Sequence, residues 1–273
     1  FTYDSNRIAC YKAADHTLKW NYYVHNLLYH GPATGDLFHD GQKELVIGDY
    51  DGYLYCLRSG DGALLWKDSV SKLLPYRYIV APVTLADLNN DGYLDIVYMD
   101  GWSVRALNRN DSPMWVYTPV SGFSNFRGAV VADVNNDNIK DVTFSTDNGI
   151  VTSLDGASGA VIRTFDLKAY KTSVIGDTTS IFEVDNAPVI ADFDGDGVLD
   201  LFIIGGKGRS DSTTYTDYGY AFCLSWGVGK GPAWTMFRHD ERRTGCLCDT
   251  NGLPLAVVND PVSPMPAVII SPN

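Results

Sequence analysis

Four stretches of this chain share one plan, and each is marked by an acidic loop of nine residues. Asp87-Leu-Asn89-Asn-Asp91-Gly92-Tyr93-Leu-Asp95 carries oxygen side chains at positions 1, 3, 5 and 9. Asp133, Asn135, Asp137 and Asp141 repeat the pattern, with Asn138 in place of glycine, and so do Asp192, Asp194, Asp196 and Asp200. The first copy keeps Asp36, Asp40 and Glu44 but has Phe38 at position 3. The opening aspartates lie 51, 46 and 59 residues apart. Around each loop runs the same order: an apolar run, the loop, a second apolar run, a Gly/Asp turn, an alternating run, another turn and an aromatic strand. Four short strands per period of about 45 residues predict the blade of a β-propeller. Gly/Pro/Asn/Asp punctuation without a helical period agrees with an all-β chain.

The repeats place blades at about 31–67, 80–117, 127–166 and 186–237. A partial copy opens the chain at about 1–24, because Ile8–Trp20 aligns without gaps on Leu54–Trp66. The N-terminus is therefore expected to supply the last two strands of a blade, within a propeller of four-stranded antiparallel blades over 1–245, about five in all. Such a half-blade leaves an open edge, which folded proteins cover. The tail 246–273 holds two short apolar segments, Leu255–Val258 and Ala267–Ile270, set among prolines. These can close the half-blade within the chain, or a neighbouring chain can close it by strand addition. The remaining reading is a Pro-rich linker.

The loop spacing answers to the chemistry of a hard cation, which takes six to eight oxygens at about 2.3–2.6 Å. Alternate side chains of a tight loop point inward. A Gly or Asn at position 6 accepts the left-handed turn. The backbone carbonyl of position 7 (Tyr93, Ile139 or Val198) adds a further ligand. An EF-hand needs a bidentate Glu at position 12; here that position is Tyr98, Phe144 or Ile203, inside an apolar strand. Calcium suits these loops better than magnesium, which keeps octahedral geometry and several waters. The count is three complete sites and an incomplete fourth at Asp36. The alternative for any single loop is an Asx-rich turn without metal.

At these loops and the strands after them (LDIVYMDG, KDVTFSTDNG, LDLFIIGG) the sequence resembles the FG-GAP/VCBS repeat family, the repeat of integrin α-subunit propellers, over about residues 31–237. The resemblance implies that each loop joins the first two strands of a blade and binds calcium. Strand pairs such as YLYCLRSGDGALLW are also similar to the tryptophan-docking repeat of quinoprotein propellers, and WTMFRHDERRTG resembles a terminal element beside such repeats. Arg163 departs from that pattern, standing where the other copies have Trp.

In an antiparallel blade the 1–2 and 3–4 loops share one face, and the 2–3 loops and blade-to-blade connections share the other. The metal loops thus mark one face. The long insertions, Lys168–Asp185 and Gly205–Tyr218, fall on the opposite one, where loops beyond about 12 residues are usually functional or disordered. Tyr76, Arg77, Tyr78, Phe126, Arg127, Tyr215 and Tyr218 are the candidate ligand-binding residues there, against the plainer reading that they pack blade on blade. Cys10, Cys56 and Cys223 share one small-residue slot with Ala106 and Ser153 and are expected to be free and buried. Cys246-Leu-Cys248 can form a disulfide in an oxidising compartment.

A balance of 21 basic to 33 acidic residues, net −12, argues against nucleic acid and against an anionic membrane surface. No stretch approaches the about 18 apolar residues of a membrane span. The chain opens at Phe1 without a leader, as expected of a processed or partly covered chain. The five histidines show neither metal spacing nor a nucleophile partner. The leading expectation is a non-catalytic, extracellular (or periplasmic) calcium-stabilised module that binds protein or carbohydrate. The alternatives are a filament subunit joined by strand exchange and a propeller enzyme, either a polysaccharide lyase or a quinoprotein.

Overall fold

The computed structural model describes residues 2–4, 6–70, 78–121, 127–176, 178, 182–207, 218–229, 232–234, 236–239, 243, 245 and 246. These form five antiparallel sheets. Blade 1 holds β1 (Thr2–Asp4), β2 (Arg7–Tyr11) and β3 (Leu18–Tyr23). Blade 2 holds β4 (Ala33–Gly35), β5 (Glu44–Gly48), β6 (Tyr53–Arg58) and β7 (Leu64–Ser69). Blade 3 runs β8 (Thr84–Ala86), β9 (Asp95–Met99), β10 (Val104–Leu107) and β11 (Pro113–Tyr117). Blade 4 runs β12 (Val130–Ala132), β13 (Asp141–Ser145), β14 (Ile150–Leu154) and β15 (Val161–Asp166). Blade 5 contains β16 (Val189–Ala191), β17 (Leu199–Lys207) and β18 (Tyr218–Gly227).

Burial explains why the sequence takes this form. The second strands β5, β9 and β13 are buried at every residue; β5 and β9 read as apolar runs opened by a carboxylate, while β13 buries Thr143 and Ser145 as well. The fourth strands β7 and β15 are exposed or half-buried along their whole length. The short first strands meet in series, β4 on β8, β8 on β12 and β12 on β16, which makes the sheets neighbouring blades. Apolar side chains fill each gap between blades: Ile8 and Trp20 against Leu45 and Ile47, Val46 and Cys56 in the cluster with Ile96 and Tyr98, and Val130 and Val151 in the cluster with Leu201 and Ile203.

Four expectations change. Blade 1 has three strands, not two, because Thr2–Asp4 pairs with Arg7–Ala9. Pro232–Trp234, which the spacing made the fourth strand of blade 5, is instead β19 and pairs antiparallel with β12. It touches β8 as well, so the fully buried Trp234 sits at the inner edges of blades 3 and 4. Blade 4 thereby gains a fifth strand and blade 5 keeps three. The Lys168–Asp185 connection opens as a helical turn, α1 (Leu167–Tyr170), capped by the Asp166 carboxylate on the Ala169 amide and continued by a π-helical turn to Ile175. Finally, β17 and β18 pair as far out as Lys207 and Tyr218, so both ends of the expected Gly205–Tyr218 loop are strand; residues 208–217 lie outside the described residues. The tail segments Leu255–Val258 and Ala267–Ile270 lie outside the described residues.

Candidate functional site

All four acidic loops fold alike, each joining the first and second strands of its blade. The position-1 carboxylate accepts from the position-6 amide: Asp36 from Gly41, Asp87 from Gly92, Asp133 from Asn138 and Asp192 from Gly197, each at 3.0 Å. The position-9 carboxylate accepts from the position-2 amide: Glu44 from Leu37, Asp95 from Leu88, Asp141 from Val134 and Asp200 from Phe193. Position 3 caps position 5 through Asn89, Asn135 and Asp194. Position 5 caps position 7 through Asp40, Asp91, Asp137 and Asp196. Positions 4 and 6 are both left-handed in every copy: His39 and Gly41, Asn90 and Gly92, Asn136 and Asn138, Gly195 and Gly197. Position 6 was expected from the sequence; position 4 is a further left-handed position, and Asn, Asn and Gly there were its legible signal.

What the backbone leaves over is the test of a cation. Asp95 and Asp141 are fully buried, and in each one oxygen is spent on the amide while Oδ1 has no hydrogen-bond partner. The Oδ1 of Asp87 is buried and unpartnered too. Burial, reinforced by the other loop carboxylates, pushes Asp95 and Asp141 up to about 7 and raises Asp200. A carboxylate in that position is costly unless a cation or a proton meets it. In the last loop, oxygens of Asp192, Asp194 and Asp200 lie within 4.8 Å of one another. The residues therefore fit a hard cation, with the position-7 carbonyls of Tyr93, Ile139 and Val198 as backbone ligands. The Asp36 loop differs at position 3, where Phe38 turns onto the core; like Asp133 and Asp192, Asp36 gives both oxygens to backbone amides. Glu44 still rises to about 7 through burial.

The acidic loops are tied across blades. His39 stacks on Tyr93 at 4.6 Å, and the Arg109 guanidinium lies 3.5 Å from the same ring centre. The Asn90 amide donates to the Asn138 carbonyl at 2.8 Å. Beside them the fourth-strand tryptophans dock into the next blade: Trp20 Nε1 donates to the Ser59 carbonyl, Trp66 to Arg109 and Trp115 to Gly156. Arg163 does the same work with a different group, donating to the Trp226 carbonyl while its guanidinium stacks on the Trp226 ring.

On the opposite face the candidates divide. Tyr78 is placed there: it stacks on Tyr50, which stacks on Tyr29, and its ring covers Gly101. Arg127 is engaged with Asp185 across the connection between blades 4 and 5. Tyr218 begins β18 opposite Lys207. Tyr76, Arg77, Phe126 and Tyr215 lie outside the described residues. The exposed rings of Tyr29, Tyr50 and Trp102 stand in a short connection and two tight turns, which carry no length signal in the sequence. Cys56 is buried and free as expected, whereas Cys10 is half-buried and Cys223 exposed; Cys246 is disulfide-bonded. Among the described residues no helix is long and apolar enough to cross a membrane.

Fold and site together define an all-β, propeller-like chain whose described residues form five antiparallel sheets of three to five strands. Within it, residues 36–98 match the FG-GAP-like repeat, from the first acidic loop through the second. No curated protein matches the chain. Among solved structures it is similar to the V. cholerae biofilm matrix protein Bap1 (TM-score 0.53, 17% identity, 81% of this chain and 33% of that one). It is also similar to Sqt1 of Saccharomyces cerevisiae (TM-score 0.51, 13% identity, 80% and 56%) and to BamB from Moraxella catarrhalis (TM-score 0.47, 17% identity, 73% and 52%). The chain spans between about a third and a little over half of these structures' lengths. At such identities the likeness concerns the fold alone.

Proposed function

We propose that this chain is a non-catalytic, calcium-stabilised interaction module of an extracellular setting, in which ions fix the loops of one face and the opposite face meets a protein or carbohydrate partner. The observation that carries it is the buried, unpartnered Oδ1 of Asp87, Asp95 and Asp141, three carboxylate oxygens that no donor meets. A cation supplies what no backbone donor does. The ligands are Asp87, Asn89, Asp91, Tyr93 and Asp95 in one loop, their counterparts from Asp133 to Asp141 in the second, and those from Asp192 to Asp200 in the third. Against an axial cofactor, β19 already occupies the inner edge of β12. A visible cofactor absorbance or unsaturated sugar products would replace this reading with an enzymatic one. The open faces of blades 1 and 5 are where closure of a five-blade ring acts, by the tail or by a neighbouring chain.

Binding to the folded state alone adds about 2.7 kcal/mol per site at a hundredfold excess of ligand over Kd. Calcium is expected to raise the melting temperature by several degrees over a chelated sample, and Asp95→Asn with Asp141→Asn to remove most of that gain. A melting curve indifferent to EDTA and calcium refutes the proposal.

A further inference from the structure

Each blade turns one face toward the blade after it, and four slots make up the centre of that face. In blade 2 they are the cross-strand pairs Val46–Cys56 and Gly48–Leu54. In blade 3 they are Val97–Ala106 and Met99–Val104, and in blade 4 Thr143–Ser153 and Ser145–Val151. All twelve residues are buried. Blade 5 repeats the same register with Phe202–Cys223 and Ile204–Ala221, and there all four are exposed, Phe202 at 39% and Ile204 at 49%. The face that is covered in blades 2, 3 and 4 is uncovered in blade 5, where all four of its residues are apolar.

Blade 1 shows the reciprocal defect. Its Tyr11 stands in the slot of Leu57, Leu107 and Leu154, which are 0–3% exposed, yet Tyr11 is 40% exposed. The turn from Lys12 to Thr17 has the bonds of the turn that receives Trp20: Lys12 N–H to the Thr17 carbonyl and His16 N–H to the Lys12 carbonyl, as in Arg58 to Ala63 and Gly62 to Arg58. His16 adopts the left-handed φ of Gly62. Nevertheless every residue from Tyr11 to Lys19 is exposed. The molecule thus carries one face built to cover and one built to be covered. Because both are exposed, they do not cover each other within the chain.

We infer that the exposed face of blade 5 docks on blade 1 of a second copy of this chain, continuing the blade-to-blade packing between molecules. The contact is heterologous, so it closes a ring if the rotation allows and otherwise grows an open filament. It rests on the blade repeat and not on the metal. The EDTA melting experiment can therefore fail while this inference stands, and the converse also holds.

Sedimentation velocity in calcium-containing buffer tests it, using wild type, Phe202→Asp/Ile204→Asp and Tyr11→Asp, with melting curves as the folding control. Wild type is expected to form concentration-dependent species larger than a dimer, and each variant alone to remain monomeric. An equimolar mixture of the two variants should form a dimer and nothing larger, since only one intact pair of faces remains. Self-association of Tyr11→Asp at wild-type strength would mean that blade 5 pairs with itself and overturns the head-to-tail contact. A wild type that stays monomeric at every concentration overturns the inference altogether.

Discussion

Asp95 and Gly159 show how much a single position can be asked to do. Asp95 fixes the loop through one oxygen and leaves the other buried and unpartnered; its counterparts Asp141 and Glu44 repeat the first task, and only Asp141 repeats the second. Gly159 is needed twice over. Its φ is +72°, and a Cβ there would lie 2.8 Å from the Trp115 ring. Gly41 has a similar φ of +81° but open space around it. Gly41→Ala is thus expected to cost only the left-handed penalty, about 1–2 kcal/mol. Gly159→Ala should cost that and a further ~1–3 kcal/mol for displacing Trp115. Urea midpoints of the two variants check this, and equal losses would show that Trp115 does not press on the turn. The position-6 requirement was legible in the sequence because Gly or Asn recurs there. The position-4 requirement was just as legible, since His, Asn, Asn and Gly there are all types that accept a left-handed conformation.

At the scale of elements, docking of the fourth strand onto the next blade is the recurring bond of this fold, and Arg163 shows that its chemistry is exchangeable. The guanidinium supplies both functions of the indole: a donor for the carbonyl and a flat surface for the ring below. Hydrogen bonds involving a charged group contribute about 1.5–3 kcal/mol. Arg163→Leu is expected to lower stability by that amount in chemical denaturation, with a change in tryptophan emission as Trp226 loses its cover. An unchanged midpoint would mean that Arg163 is held by solvent and not by blade 5. The blade plan could be read from the sequence because each strand's burial is local to its repeat. The destination of Pro232–Trp234 could not. Its spacing matches a fourth strand, but its partner β12 is a choice made by three-dimensional proximity, and no periodicity records it. The third strand of blade 1 was missed for a related reason, since Thr2–Asp4 is too short to show a pattern of its own.

For the whole molecule, the raised carboxylates set a pH dependence whose sign reverses with metal. Unfolded, Asp ionises near 3.8; folded and without cation, Asp95 and Asp141 ionise near 7. Between those values the folded state binds more protons, so the chelated protein should lose stability as pH rises from about 4 to 7. A cation binds the ionised form, so its stabilisation should grow over the same range. Melting temperatures at pH 5 and pH 7.5, each with EDTA and with calcium, are expected to converge at the acid end and diverge at the neutral end. A gap that is constant with pH would remove these carboxylates from the ligand set. The return of β19 to β12, and of Cys246 to Thr34, has a consequence for how this protein is made. Both pairings join the last part of the chain to strands completed much earlier, so they raise the contact order, and with it the loop-closure entropy of the final folding step. On the ribosome, blades 2 to 4 can stack as they emerge, but their shared inner edge must wait open until residues 232–246 have been released. For that interval the nascent protein carries an unpaired strand at its centre, and this is the moment when it most needs protection from other chains.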